Sequence, residues 1–369
     1  MKKIPYILIP LFVGVLTLTS LFAINGPFTS YPDTKVYVDQ ISYFKGEIAP
    51  DLDIQFRSFK PFYGVVGATL SRVMTPDLSI LLINILFFFG LILATYCIIR
   101  EVGFTELYAA IGASWVATGY PLLKYGLALL TDISGWFFAG AVVAVFLIGM
   151  RKDSTKLLLT ASLIGFVGSL CKETGILGLG FAGLYLVLHF LRTRDISYLK
   201  KIIYITIPFI VLQALFLYEL FTRSDTHISF LGWFLHNKEV VGGGLHTLYY
   251  FILTELSTFS LLWVYAFVGL YAAYRQRSVI TTERWITAVC LVVTTLPPLV
   301  WPVFLTRILY IGYLAVIPLG LVGLQYWHSE NTSKKKTFLF LSILPVLSSV
   351  ILFSLAGGRS LFPLLERLL

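Results

Sequence analysis

Charge is what this sequence has least of. Only 13% of its 369 residues are Asp, Glu, Lys or Arg, about half the share found in soluble domains, and the mean hydropathy is +0.85. A water-soluble globular domain is excluded. Ten-residue alternating segments of the barrel kind are also missing, so helices are left to satisfy the backbone in lipid. Cysteine is scarce as well. Cys97, Cys171 and Cys290 all lie in or beside apolar runs; they read as small buried hydrophobes, and neither a disulfide framework nor a metal knot is indicated. No soluble domain, internal repeat or low-complexity tail is evident.

What is present is a succession of apolar runs, most of them long enough to span a bilayer at about 20 helical residues; the fifth and sixth below are short, as tilted or half-buried helices of the bundle would be. Spans are expected at 4–24, 78–99, 104–121, 126–150, 157–171, 174–191, 202–221, 247–272, 285–304, 308–325 and 337–355. The expected fold is therefore an all-α polytopic membrane protein of about eleven transmembrane helices, forming a single transmembrane domain over 1–369. The start, MKKIPYILIPLFVGVLTLTSLFA, has the basic flank of a signal peptide. Its apolar core, Ile4 to Ala23, exceeds the usual length and is read as an uncleaved first span.

The net charge of +9 does not point to nucleic acid, because most basic residues flank spans. With the N-terminus in the cytoplasm, the inner loops gather Lys2, Lys3, Arg100, Arg151, Lys152, Lys156, Arg192, Arg194, Lys200 and Lys201. Arg275, Arg277, Arg284 and Lys334–Lys336 join them there. That is the positive-inside pattern, expected for a multi-pass plasma (inner) membrane protein. Residues 25–77 then form a first outer loop and 222–246 a second. Within the first, TKVYVDQISYF reads as a short helix with Tyr37, Ile41 and Phe44 on one face, and PFYGVVGATLSRV (61–73) suits an interfacial helix. The second ends in Gly242, Gly243 and Gly244, which suggests a hinge.

Ionisable groups at the rim of a membrane bundle cost about 2.5–3.5 kcal/mol each on insertion scales, so they are the first candidates for function. By position these are Asp33 in YPDTKVYVDQ, Asp132 in LLTDISGWFF, Lys172 and Glu173 in SLCKETGIL, and Arg307 in FLTRILYIGYLAVIP. This topology puts all of them on the outer side, where they could line one cavity. Each has a plainer role beside the functional one. Asp33 and Asp132 could be helix caps, Lys172 could snorkel to the interface, and Arg307 could pair with another acid or with lipid headgroups. Arg57 and Lys60 could be solvated loop charges. His227, His236 and His246 have spacings that match no standard metal-ligand pattern.

These motifs, in this order, resemble the GT-C superfamily of membrane glycosyltransferases, in particular the family-39-like protein O-mannosyltransferases and aminoarabinose transferases. A Lys2–Lys3 start and one span lead to Asp33 with Tyr37 four residues on. RSFKPFYGVVGATLSRV is similar to the family's Arg-x-x-x-Pro-hydrophobic stretch, with Arg57 and Pro61 in place. Asp132 resembles an acid at the opening of the fourth span, and Lys172 the Lys-Gly turn between the fifth and sixth. Arg307 with a downstream Tyr and Pro318 looks like the Arg-Tyr-x-x-Pro signature. The likeness runs over roughly residues 1–325. Glu173 departs from the pattern, standing where the family has Gly; it could neutralise Lys172 or replace a family metal ligand.

The resemblance implies transfer of a sugar from a polyprenyl-phosphate-linked donor to a hydroxyl of a lipid, glycan or protein acceptor on the outer face. It implies Asp33 and Asp132 as catalytic carboxylates, and Lys172, Arg307 and Arg57 as contacts to the substrate phosphate. No cofactor is certain from the sequence, and a divalent metal stays open: some relatives use such an ion, and Asp33, Asp39, Asp51 and Asp53 carry suitable oxygens, although no spacing requires one. A transporter or flippase of lipid-linked sugars would want charges near mid-membrane and two related halves. A non-catalytic assembly subunit would need neither Asp33 nor Arg307.

Overall fold

The computed structural model describes residues 5–26, 28–51, 54, 57–223, 252, 254–276, 282–297, 306–330 and 335–356. All regular structure among them is helical. The α-helices are α1 (Leu8–Asn25), α2 (Pro32–Phe44), α3 (Phe62–Leu70), α4 (Pro76–Glu101), α5 (Glu106–Ala117), α6 (Asp132–Arg151) and α7 (Thr155–Cys171). They continue with α8 (Leu177–Thr193), α9 (Ser197–Arg223), α10 (Leu262–Arg275), α11 (Thr282–Thr294), α12 (Thr306–Leu309), α13 (Tyr313–Glu330) and α14 (Lys335–Ala356). Among the described residues, seven stretches are long and apolar enough to cross a membrane: Leu8–Asn25, Pro76–Glu101, Asp132–Arg151, Glu173–Thr193, Ser197–Thr222, Arg307–Ser329 and Lys336–Leu355. The expected spans at 104–121 and 157–171 coincide with shorter helices, α5 and α7; those at 247–272 and 285–304 lie partly outside the described residues, which there include parts of α10 and α11. Of the second outer loop expected at 222–246, residues 224–246, with the three glycines and the histidines, lie outside the described residues, as does Asp53.

The bundle's centre is α6, buried along almost its whole length and in contact with α4, α7 and α8. In lipid, helices associate through close packing rather than water exclusion, and small residues at the contact allow it. Gly269 of α10 and Gly323 of α13 show this. A Cβ on Gly269 would lie 2.0 Å from the Leu319 carbonyl oxygen, and one on Gly323 would lie 2.2 Å from that of Tyr265. The two backbones touch because neither carries a side chain there.

Residues 25–77 contain two short helices, α2 and α3, where the sequence leads one to expect them. Thr34, Tyr37, Gln40 and Ile41 form the buried face of α2, whereas Phe44 is 37% exposed. The apolar stripe therefore includes Tyr37 and Ile41 as expected but ends before Phe44. A compact cluster of Tyr37, Ile41, Tyr63, Ile80, Leu130 and Phe138 seats α2 and α3 on the ends of α4 and α6. Fully buried Asn84 fastens the lead-in to α6. Its Nδ2 donates to the carbonyls of Ala128 (2.6 Å) and Leu130 (2.9 Å), and its Oδ1 accepts from Tyr63 Oη at 2.7 Å.

Candidate active site

Asp33 is the second residue of α2. The cap position belongs to Tyr31, whose backbone N–H donates to Thr34 Oγ1 at 2.9 Å. The carboxylate of Asp33 instead reaches Arg307 Nη2 at 3.0 Å and Arg57 Nη2 at 3.6 Å. Asp132 opens α6 behind a Thr131 cap and is only 3% exposed. It too is turned to cations: Lys172 Nζ at 3.2 Å and Arg307 Nη1 at 3.4 Å. One guanidinium thus bridges two carboxylates from different elements. The capping role weighed for each acid does not describe where its side chain goes.

Lys172 sits in an extended residue between α7 and the 3-10 turn Glu173–Ile176. That turn packs tightly against α6: a Cβ on Gly135 would fall 2.0 Å from Thr174 Oγ1 and 3.0 Å from Lys172 Cγ. Burial pulls the lysine's pKa down, but adjacent Asp132 outweighs that and holds it above the ordinary value. For Asp33, burial likewise opposes the charge. Arg307, then Arg57 and Lys172, outweigh it and hold the carboxyl below the ordinary Asp value of 3.8.

All five sequence-predicted site residues therefore meet in one ion network: Asp33, Arg57, Asp132, Lys172 and Arg307. Glu173 is different. Its carboxylate accepts from Lys60 Nζ at 2.6 Å, so it is the counter-ion of a lysine in the stretch between α2 and α3 and ties that stretch to the Lys172 turn.

The positioning residues escaped sequence reasoning. Gln40 Nε2 donates to the carbonyls of Arg57 (3.0 Å) and Lys60 (3.2 Å), shaping the turn that presents both cations. Trp136 Nε1 donates to the Arg307 carbonyl at 3.0 Å, and its ring meets Tyr310 edge-on at 4.9 Å. Its signal was its place, one helical turn after Asp132 and so on the same face. Tyr37 Oη accepts from Thr131 Oγ1 at 2.9 Å, and the Arg57 guanidinium lies 4.3 Å over its ring.

No family model and no curated protein sequence matches the chain. Solved structures do. The oligosaccharyltransferase of Archaeoglobus fulgidus in the apo form superposes with a TM-score of 0.64 at 14% identity, over 97% of this chain and 56% of its own. The same protein has been solved with Zn and sulfate (TM-score 0.61) and, as AglB, with an inhibitory peptide and a dolichol-phosphate (TM-score 0.59). ArnT from Cupriavidus metallidurans, bound to undecaprenyl phosphate, gives a TM-score of 0.61 at 17% identity, over 97% of this chain and 72% of its own. Both are GT-C glycosyltransferases, so the fold is the expected GT-C type. The chain spans about half the length of the archaeal enzyme.

Proposed function

We propose that this protein is a membrane glycosyltransferase that moves a sugar from a polyprenyl-phosphate-linked donor to an acceptor hydroxyl on the outer face. The observation carrying this reading is the single network in which Arg307 joins Asp33 to Asp132 and Lys172. The fold shared with ArnT, which binds undecaprenyl phosphate, supports it.

The chemistry follows from the residue types. Arg307 and Lys172 take the donor's phosphate oxygens, Arg as a fork and Lys as a point charge, with Arg57 beside them. In the ligand-free site Asp33 and Asp132 occupy these cations. A phosphate arriving at Arg307 competes with Asp33, the more exposed of the two acids, and releases its carboxylate toward the acceptor. The acceptor oxygen attacks the anomeric carbon and the carbon–oxygen bond to phosphate breaks with its electron pair going to the phosphate. The acceptor's proton passes to Asp33. General-base assistance of this kind contributes about 10²–10⁴-fold, and cations at the developing phosphate charge add electrostatic stabilisation. Asp132, almost wholly buried, keeps Lys172 and Arg307 charged and aimed.

A divalent ion fits this donor set poorly. Among the described residues no group of three or more His, Cys, Asp or Glu side chains converges. Asp33 and Asp132 are each already held by two cations, which would repel a metal. The test is transfer from an undecaprenyl-phosphate-linked sugar by protein in nanodiscs, with binding of undecaprenyl phosphate measured alongside. Arg307→Ala should lose both by at least tenfold; wild-type behaviour in that variant would refute the reading.

A further inference from the structure

The proposed mechanism uses neither Lys60 nor Glu173, although the pair adjoins the ion network from both sides. Lys60 closes the turn that presents Arg57. Its backbone N–H donates to the Arg57 carbonyl at 2.8 Å, and Gln40 Nε2 holds the carbonyls of both residues. Glu173 directly follows Lys172 in the chain. Two short segments, 57–60 and 172–173, therefore face each other. Each gives one cation to the network, Arg57 toward Asp33 and Lys172 toward Asp132. Each also gives one member to the Lys60–Glu173 pair, whose charged atoms are 2.6 Å apart.

Tyr37 shows that these cations share one field. Burial pushes its phenol up, yet Lys172 and Arg57, with Lys60 adding to them, outweigh burial and Asp132 and hold it below the ordinary value of 10.0. Lys60 thus acts on the same spot as two cations assigned to the phosphate, and Glu173 cancels its charge. Arg57, Lys172 and Arg307 against Asp33 and Asp132 leave one positive charge in excess, to which the Lys60–Glu173 pair adds none. A phosphodiester carries one negative charge, and a diphosphate diester carries two.

Resting on the function proposed above, we propose that Glu173 sets the number of phosphates the site accepts: by neutralising Lys60 it matches the site to a lipid monophosphate donor and against a diphosphate. The second charge of a diphosphate would find no excess cation among the described residues and would lie beside the Glu173 carboxylate. Discrimination of this kind rests on a repulsive element as well as an attractive one. Without Glu173, the Lys60 ammonium, on its flexible four-carbon stem, can serve the second phosphate.

The experiment uses the full chain in nanodiscs and two sugar-free probes, the methyl esters of undecaprenyl phosphate and of undecaprenyl diphosphate. The wild type should bind the monophosphate ester tenfold or more tightly than the diphosphate ester. Glu173→Gln keeps the side chain's size and should narrow that ratio at least tenfold, chiefly by tightening the diphosphate. Tenfold is about 1.4 kcal/mol, less than the interaction of two unit charges about 6 Å apart at an effective dielectric of about 20. Lys60→Gln alone leaves Glu173 uncompensated and should widen the ratio. The double variant, Lys60→Gln with Glu173→Gln, should return it to the wild-type value. A wild type without the preference, or single variants that leave the ratio unchanged, would overturn the inference. So would a Glu173→Gln protein that loses both probes alike, since a purely structural tie predicts that result. The phosphate reading is judged separately: it fails if Arg307→Ala binds both probes as the wild type does, whatever Glu173 does.

Discussion

Replacing Asp33 by Asn separates its two roles, as counter-ion of Arg307 and as proton acceptor. The change is nearly isosteric and the side chain caps no helix, so α2 should stay in place. Asp33 is 38% exposed and its partners are 3.0 and 3.6 Å away, so the pairs are partly screened and of the order of 0.5–1 kcal/mol. Stability should fall by no more than about that. Removing the competing carboxylate frees Arg307 for phosphate, so undecaprenyl phosphate should bind about two- to fivefold more tightly, the same energy expressed as affinity. Turnover should nevertheless drop by about 10²-fold or more, because the amide cannot take the acceptor's proton. Tighter phosphate binding with lost turnover is not what misfolding produces. The assay is transfer from an undecaprenyl-phosphate-linked sugar in nanodiscs, with lipid binding measured on the same preparation. An Asn variant of full turnover would refute the assignment and make Asp132 the better base.

Asp132→Asn should behave differently, since it leaves Lys172 and Arg307 buried with less counter-charge. A stability loss of about 3–5 kcal/mol is expected, read by denaturant unfolding in detergent; a silent variant would contradict the burial argument. Gly135→Ala removes no charge but pushes on Thr174 and Lys172, so undecaprenyl-phosphate binding should weaken about tenfold, and unchanged binding would show that the Lys172 turn gives way freely. The Asp33 pKa is held below the ordinary value of 3.8. Its contribution to stability is therefore complete above that value and is lost as pH falls through the lower folded-state pKa; a loss of stability beginning at pH 6 would have to come from another group. Membrane-impermeant maleimide added from outside should label Ala49→Cys and spare Ser154→Cys, and the reverse would invert the topology. EDTA should leave turnover within twofold, and a metal-restorable loss would show that groups beyond this cluster bind an ion.

The sequence shows which charges matter because they stand in apolar surroundings. Asp132, Lys172 and Arg307 each interrupt or border a run of hydrophobic residues, where a charge is expensive enough to need a reason. Which charge meets which is not legible locally. Arg307 is 274 residues from Asp33 and 175 from Asp132, and Lys60 is 113 from Glu173. That last separation is why Glu173 reads as a neighbour of Lys172 when it serves a different lysine. Gln40 and Asn84 are harder still, since they act on backbone carbonyls and leave no complementary residue type to look for. Long helices such as α4, α6 and α9 were readable from hydropathy. Two of the expected spans, 104–121 and 157–171, contain the shorter helices α5 and α7.

The ion network also has a ledger of charge. Arg57, Lys60, Lys172 and Arg307 face Asp33, Asp132 and Glu173, one positive charge in excess. In the proposed reaction, a phosphodiester donor brings one negative charge and makes the assembly neutral. Transfer turns the phosphate into a monoester of about −1.5 to −2 at pH 7, while the acceptor's proton neutralises Asp33 and raises the protein side by one. The assembly is thus close to neutral before and after the chemical step, in a setting where uncompensated charge costs several kcal/mol. Balance is broken only when the proton leaves Asp33 for water. From then on the product phosphate faces a restored carboxylate, and the site that drew the donor in pushes the spent lipid out.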